Sequence, residues 1–244
     1  MTDITICLLF YGDHFPLAAR LLNSLRRHEW QEQFNLRIGT NQACPETLSF
    51  VQAFCDWRKQ FSTKTWTFNS PENIYKYPLM RDMFHAVPLE TKYTMWFDDD
   101  SWIKDSAPGD WFDLVRRKLT DHDMVGHIWT WKLLGNQHQF IEDQAWYAGK
   151  AVQPAFKVPF ATGGWWTIDT EIIQKYQWPI PQLCHRGGDV MLGELLRQQG
   201  YKLGNFKDHL AINADEQGRN SKAPRRGYNE KPLGEEYQRH ANDS

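Results

Sequence analysis

The first hundred residues alternate between short apolar runs and stretches of helical periodicity, and that alternation leaves few folds open to the chain. Ile4–Tyr11 is a continuous apolar run of strand length, broken by Gly12-Asp13. Pro16 opens a segment in which Leu17, Leu21, Leu22 and Leu25 recur at helix spacing. Residues 35–39 read as a second strand ending at Thr40-Asn41, and Pro45-Glu46 starts a second helix with Leu48, Val51, Phe54 and Cys55 on one face. Residues 65–68 read as a third strand, and 77–87 as a third helix carrying Arg81 and His85. Residues 93–97 are β-branched and aromatic, so this fourth strand can be buried on both faces. The order β-α-β-α-β-α-β predicts an α/β fold, a doubly wound and mostly parallel sheet flanked by helices with right-handed crossovers.

The second half is less regular. Residues 111–119 read as a helix with Asp110 as N-cap, and 124–128 as a strand. Residues 132–158 show no clear period. Gly163-Gly164 before Trp165-Trp166 predicts close backbone approach or a tight bend, then a strand. Residues 170–176 form a helix. A further helix over 190–199 stops at Gly200, with Asp189 near its N-terminus and Leu192, Leu195 and Leu196 facing inward. Residues 206–212 read as a short final strand. The expected organisation is one domain over residues 1–212, in halves of 1–103 and 104–212, followed by a flexible basic and polar tail or lid over 213–244.

Composition narrows the function classes. With 28 basic against 30 acidic residues and a net charge of −2, the chain lacks the overall basic footprint of a protein built mainly to grip nucleic acid, which leaves only a local patch for that task. Four cysteines without a CxxC pair predict free thiols in a reducing compartment. No segment reaches the roughly 18 apolar residues of a membrane span. Met1-Thr2-Asp3 lacks a basic leader, so a cytoplasmic location is expected. Twelve tryptophans supply aromatic faces for a core, and also for sugar or base rings. There is no GxGxxG and no GxxxxGK[ST].

The fourth strand ends in Asp98-Asp99-Asp100. The C-terminal edge of a central strand is where open α/β sheets bind ligands, and Tyr11 and Asn41 end the first two strands at the same edge. Asp98 and Asp100 are two apart, so in an extended chain they point the same way. Two carboxylates on one side suit a hard divalent cation and a nucleotide diphosphate.

The series Asp98-Asp99-Asp100, then Gly163-Gly164-Trp165-Trp166-Thr167-Ile168-Asp169, then Gly187-Gly188-Asp189-Val190-Met191-Leu192-Gly193 resembles the GT-A fold glycosyltransferases over residues 4 to 212. The N-terminal half is similar to the broad family 2 transferases. The second half is similar to the β1,3-glycosyltransferase and Fringe group, in which a GG-aromatic segment precedes an (E/D)DV-x-x-G helix. Here Gly188 stands where the group has an acid, and the luminal enzymes' membrane anchor is not seen.

The resemblance implies a metal-dependent, inverting transfer of a sugar from a nucleotide-sugar, most simply a UDP-sugar, to an acceptor hydroxyl. Asp100 would be the main ligand of Mn2+ or Mg2+, with Asp98 or Asp99 assisting or binding the donor ribose. Asp189 would be the general base, and His209 would complete the metal site. Tyr11 and Asn41 would hold base and ribose, Arg81 would face the donor, and Gly163, Gly164, Trp165 and Trp166 would flank the acceptor. Apart from the resemblance, Lys222, Arg225 and Arg226, near Gly218 and Gly227, read first as a solvated tail, with a glycine-hinged lid over the diphosphate as the alternative. The acceptor would be a saccharide, a lipid-linked sugar, a protein side chain or a modified DNA base. The same carboxylates would also serve a metal-dependent nucleotidyltransferase or phosphohydrolase, and a non-catalytic sugar- or nucleotide-binding module is the third class.

Overall fold

The computed structural model describes residues 2–30, 32–132, 135–150, 157–184 and 187–214. The elements run β1 (Ile4–Tyr11), α1 (Phe15–Arg26), β2 (Asn35–Asn41), α2 (Pro45–Arg58), β3 (Thr65–Ser70), α3 (Lys76–His85), β4 (Tyr93–Asp98) and β5 (Trp102–Ile103). They continue with α4 (Trp111–Leu119), β6 (Met124–Lys132), α5 (Gly135–Glu142), β7 (Lys157–Asp169), α6 (Thr170–Tyr176), α7 (Gly188–Gln199), β8 (Leu203–Asn205) and β9 (Leu210–Ala211).

Seven strands form one sheet in the order β3-β2-β1-β4-β7-β6-β8, and β5 pairs with β9 in a separate two-stranded sheet. The first four strands are mutually parallel, as their βαβ connections require, and β1 and β4 are buried on both faces. β7 runs antiparallel to β4 and to β6, and β8 is parallel to β6. Two apolar layers cover the faces of the sheet. One gathers Trp96, Trp166, Phe84 and the leucines of α7, with the Trp96 and Trp166 rings stacked 6.1 Å apart. The other gathers Phe97, Trp165, Trp111 and the leucines of α1. Each such large side chain contributes about 1.5–3 kcal/mol by leaving water.

Several local expectations change. Leu48 is 41% exposed, so the buried face of α2 is carried by Thr47, Val51, Phe54 and Arg58 instead. Asp110 precedes α4 but its side chain makes no capping hydrogen bond. The aperiodic region holds a helix, α5, together with the start of β7. The final strand shrinks to β9, and the sheet edge is taken by β8, whose Gly204 approaches His122 too closely for a larger residue. The four cysteines are free. Among the described residues no helix is long and apolar enough to cross a membrane.

Two buried arginines brace the N-terminal half. Arg37 of β2 donates to the carbonyls of Met83, Val87 and Pro88 at the end of α3. Arg58, the last residue of α2, pairs with Glu29 at 2.7 Å, both side chains 1% exposed, and also donates to Phe34 O at 2.7 Å. Burial pushes the Glu29 carboxyl up to about 7, against the pull of the Arg58 charge.

Candidate active site at the carboxyl edge of the sheet

Only Asp98 of the acid triplet belongs to β4. The chain turns at once, with Ser101 N donating to Asp98 O at 3.1 Å, so the alternation of an extended chain does not apply to Asp98 and Asp100. Asp98 keeps 17% of its side chain exposed, whereas Asp99 and Asp100 are buried. Asp98 Oδ2 accepts from Lys76 Nζ at 2.8 Å, and its Oδ1 accepts from Trp96 Nε1 at 2.9 Å. On the other side of the turn, Ala214 N donates to Asp100 O at 2.9 Å and Asn213 N to Ser101 Oγ at 3.0 Å. The segment after β9 is thereby laid against the triplet.

Lys76 is the first residue of α3, and the loop before it is fixed by Asn41. The Asn41 amide donates to Tyr75 O at 3.2 Å and to Asn73 Oδ1 at 3.0 Å, and its carbonyl accepts from Ile74 N at 2.9 Å. Tyr75 sits at φ 70°, an uncommon left-handed value that turns the chain just before the helix. The ammonium so aimed also donates to Gly163 O at 3.1 Å. Burial works against the Lys76 charge, but Asp98, Asp189 and Asp100 raise it above the ordinary lysine value.

Asp189 lies in the first turn of α7, where the helix dipole favours an acid. Its Oδ1 accepts from Tyr77 O–H at 2.8 Å. A methyl group on Gly188 would fall inside the Tyr77 ring, which is the steric reason no acid can stand at that position here. Burial raises the Asp189 carboxyl above the ordinary aspartate value, opposed by the Lys76 charge, the Tyr77 hydroxyl and the Gly163 amide, while Asp98 adds to the rise.

The glycine pair reaches these groups through a bulge. Gly126 faces Trp166 and Ile128 faces Ala161, so Thr162, Gly163, Gly164 and Trp165 all lie opposite His127. A Cβ on Gly163 would come within 2.6 Å of both Asp189 Oδ2 and Lys76 Nζ, and one on Gly164 would collide with Asn213 and Ser101. A larger residue at either place would have to displace the side chains that make the site.

The structure therefore brings Asp98, Asp189 and Gly163 together around Lys76, with Asp100 close by. It places other sequence-derived candidates elsewhere. Trp165 and Trp166 are both core residues, one in each apolar layer, because a strand sends neighbours to opposite faces and both faces are covered. Neither faces an acceptor. Arg81 donates to Gln177 O at 2.9 Å and Pro179 O at 2.7 Å, tying α3 to the turn after α6 rather than to a donor. Asn41 has its amide committed to the loop before Lys76. Tyr11 ends β1 half-buried, with its hydroxyl accepting from Asn73 Nδ2 at 3.5 Å. His209 sits at φ 61° with its carbonyl bound to Lys104 N at 2.8 Å. Among the described residues no three His, Cys, Asp or Glu side chains form a metal-binding group, so His209 does not join Asp98 and Asp100 in one. Gly218, Lys222, Arg225, Arg226 and Gly227 lie outside the described residues.

Sequence reasoning missed Lys76 and Tyr77. The available signal was electrostatic: a lysine at a helix N-terminus is unfavourable unless an acid faces it, and the acid triplet was the nearest candidate.

No family model matches the sequence, and no curated protein matches it. Solved structures do match. A mannosyltransferase from Pyrobaculum calidifontis, in complex with GDP-Man and Mn2+, has a TM-score of 0.58 at 12% identity, over 84% of this chain and 55% of its own. S. aureus TarS 1-349 in complex with UDP-GlcNAc has a TM-score of 0.53 at 10% identity, over 85% and 56%. A 4-diphosphocytidyl-2C-methyl-D-erythritol synthase from Anaerococcus prevotii has a TM-score of 0.50 at 10% identity, over 88% and 94%. The chain spans little more than half the length of the two transferases. Identities this low speak for the fold alone, and the mixed α/β fold, with its seven-stranded sheet flanked by helices, is that of GT-A glycosyltransferases.

Proposed function

We propose that this chain is a glycosyltransferase that moves a sugar from a nucleotide-sugar, of which a UDP-sugar is the first to test, to an acceptor hydroxyl with inversion. The observation that carries the reading is Asp189, a carboxylate of raised proton affinity held by Tyr77, Gly163 and the Lys76–Asp98 pair at the sheet's carboxyl edge. A general base works best when its pKa approaches the working pH, and burial moves Asp189 that way.

The donor set fits a divalent cation of the Mg2+ or Mn2+ kind. Such ions are commonly held by one or two carboxylates, with substrate phosphates and water completing the shell, so Asp98 and Asp100 would hold the ion, with Asp98 giving up its contact to Lys76 or Trp96 to do so. When bound, the ion offsets the charge that develops on the leaving diphosphate. Asp189 accepts the acceptor's proton while the new C–O bond forms at the anomeric carbon and the bond to the diphosphate oxygen breaks. The Tyr77 O–H donates to Asp189 Oδ1, and Lys76 places positive charge between Asp98 and Asp189. Tyr11, at the end of β1 on the same sheet edge, would stack on the base of the donor.

The direct test mixes the chain with UDP- and GDP-sugars and Mn2+ and follows nucleoside diphosphate release. Release that stops on adding a chelator and in Asp98→Asn supports the reading. No release with any donor, together with no nucleotide binding by calorimetry, sinks it. A nucleotidyltransferase is the second reading, supported by the synthase neighbour that matches over 94% of its own length. Pyrophosphate as the product would decide for it.

Lys76 offers a sharper test. Its charge lowers the Asp189 pKa, so Lys76→Met should move the acidic limb of the pH–rate profile to higher pH, and Lys76→Arg should move it back. An acidic limb unchanged in Lys76→Met would remove Lys76 from the argument.

A further inference from the structure

Beside the site, exposed aromatics form a row that no core requirement explains. On β6, His127, Trp129 and Trp131 alternate onto one side, with Trp129 56% and Trp131 52% exposed. Trp129 Nε1 donates to His127 Nδ1 at 3.4 Å, and the two rings meet edge to face at 5.8 Å. The row begins at His127, the β6 residue opposite the Thr162–Trp165 bulge whose Gly163 O accepts from Lys76. Two indoles two residues apart on a strand stand roughly 7 Å apart along it.

The row adjoins a cationic groove. His127 lines a hollow of about 620 Å³ together with Trp102, Lys104, Lys207, Asp208 and His209, and Ala214, bonded to Asp100, lines it too. The Arg20 guanidinium lies 4.5 Å over the Trp102 ring. A second hollow of about 280 Å³, which shares Asp208, is lined by Arg117 and Lys118. Arg117 lies 3.7 Å from Asp110, and Asp208 lines both hollows, so the cations in excess there are chiefly Lys104, Lys207 and Lys118. A neutral glycan would use the indoles and ignore the lysines. A bare polyanion would use the lysines and ignore the indoles. A ligand that uses both carries flat rings on a phosphate backbone.

We infer that this face binds a single nucleic-acid strand, with phosphates along Lys104 and Lys207 and bases stacked on Trp129 and Trp131. That the strand then presents its acceptor hydroxyl to Asp189 rests on the transferase reading; the binding itself does not.

The test is fluorescence anisotropy of a labelled oligodeoxythymidylate with the full chain across a salt series, with heparin and dextran as competitors. Binding should weaken with salt. The double variant Trp129→Ala/Trp131→Ala should weaken it about tenfold or more at an unchanged melting temperature, and Lys104→Glu/Lys207→Glu should flatten the salt dependence. Absence of binding at low salt overturns the proposal. So does binding untouched by the tryptophan variant, or displaced as well by dextran as by a second oligonucleotide. Oligonucleotide binding without nucleotide-sugar turnover would keep this face and discard the transferase reading; turnover without oligonucleotide binding would do the reverse.

Discussion

Asp189→Asn is expected to lower turnover by about 10²–10⁴-fold while leaving nucleotide affinity within a few-fold of wild type. The substitution keeps shape and leaves an amide oxygen to accept from the Tyr77 hydroxyl, so the packing of α7 against β7 should survive. What it removes is the acceptor for the proton. Calorimetry with the nucleoside diphosphate and steady-state rates on the same preparation separate the two effects. Asp98→Asn should behave differently and lose donor affinity as well as rate, because it weakens the diphosphate half of the site and leaves Lys76 poorly balanced. If Asp189→Asn retained near-wild-type turnover, the base would have to be sought elsewhere.

The largest stability effect is expected at the buried ion pair. Arg58→Ala leaves the buried Glu29 carboxyl and the Phe34 carbonyl without their donor and should cost about 3–5 kcal/mol, because breaking a buried pair is worse than never having had it. Adding Glu29→Gln should restore part of the loss. In the wild type, burial raises Glu29 to about 7 from an unfolded value of 4.5. The folded chain therefore holds this proton more tightly than the unfolded one. Its contribution to stability is complete below the unfolded value and is lost as pH climbs through about 7. Urea denaturation below and above that pH should show the slope, and Glu29→Gln should flatten it. A wild type with no slope across that range would mean that the Arg58 charge outweighs the burial.

The parallel half of the fold was legible because its strands are short and punctuated by Gly and Pro, because β1 and β4 are mostly apolar, and because α1 carries a clean leucine stripe. The place of Asp189 in the first turn of α7 was legible for a related reason: Gly187-Gly188 marks a helix start, and an acid there has a dipole to satisfy. The tryptophans were not. A strand covered on one face offers one tryptophan of an adjacent pair to solvent, whereas β7 is covered on both, and that depends on partners far away in sequence. Asn41 and Arg81 were misplaced for a similar reason. The type of residue suited a ligand, but backbone carbonyls and loops brought close by the fold claimed their hydrogen bonds first. Lys76 was invisible to motif reasoning because its partners arrive from β4, the β7 bulge and α7, three elements with no fixed spacing to it.

The bulge has a mechanical consequence. Inside it, β6 and β7 are registered from Met124 to Gly126, and outside it from Ile128 to Lys132, and the two ladders share no common register. The outer hairpin is thus joined to the sheet on one strand through Thr162–Trp165, whose Gly163 touches both Asp189 and Lys76. A side chain added at Gly163 would therefore press on Lys76 and Asp189 and on the joint between the two ladders at once, so one substitution there should disturb both the site and the register of the outer strands.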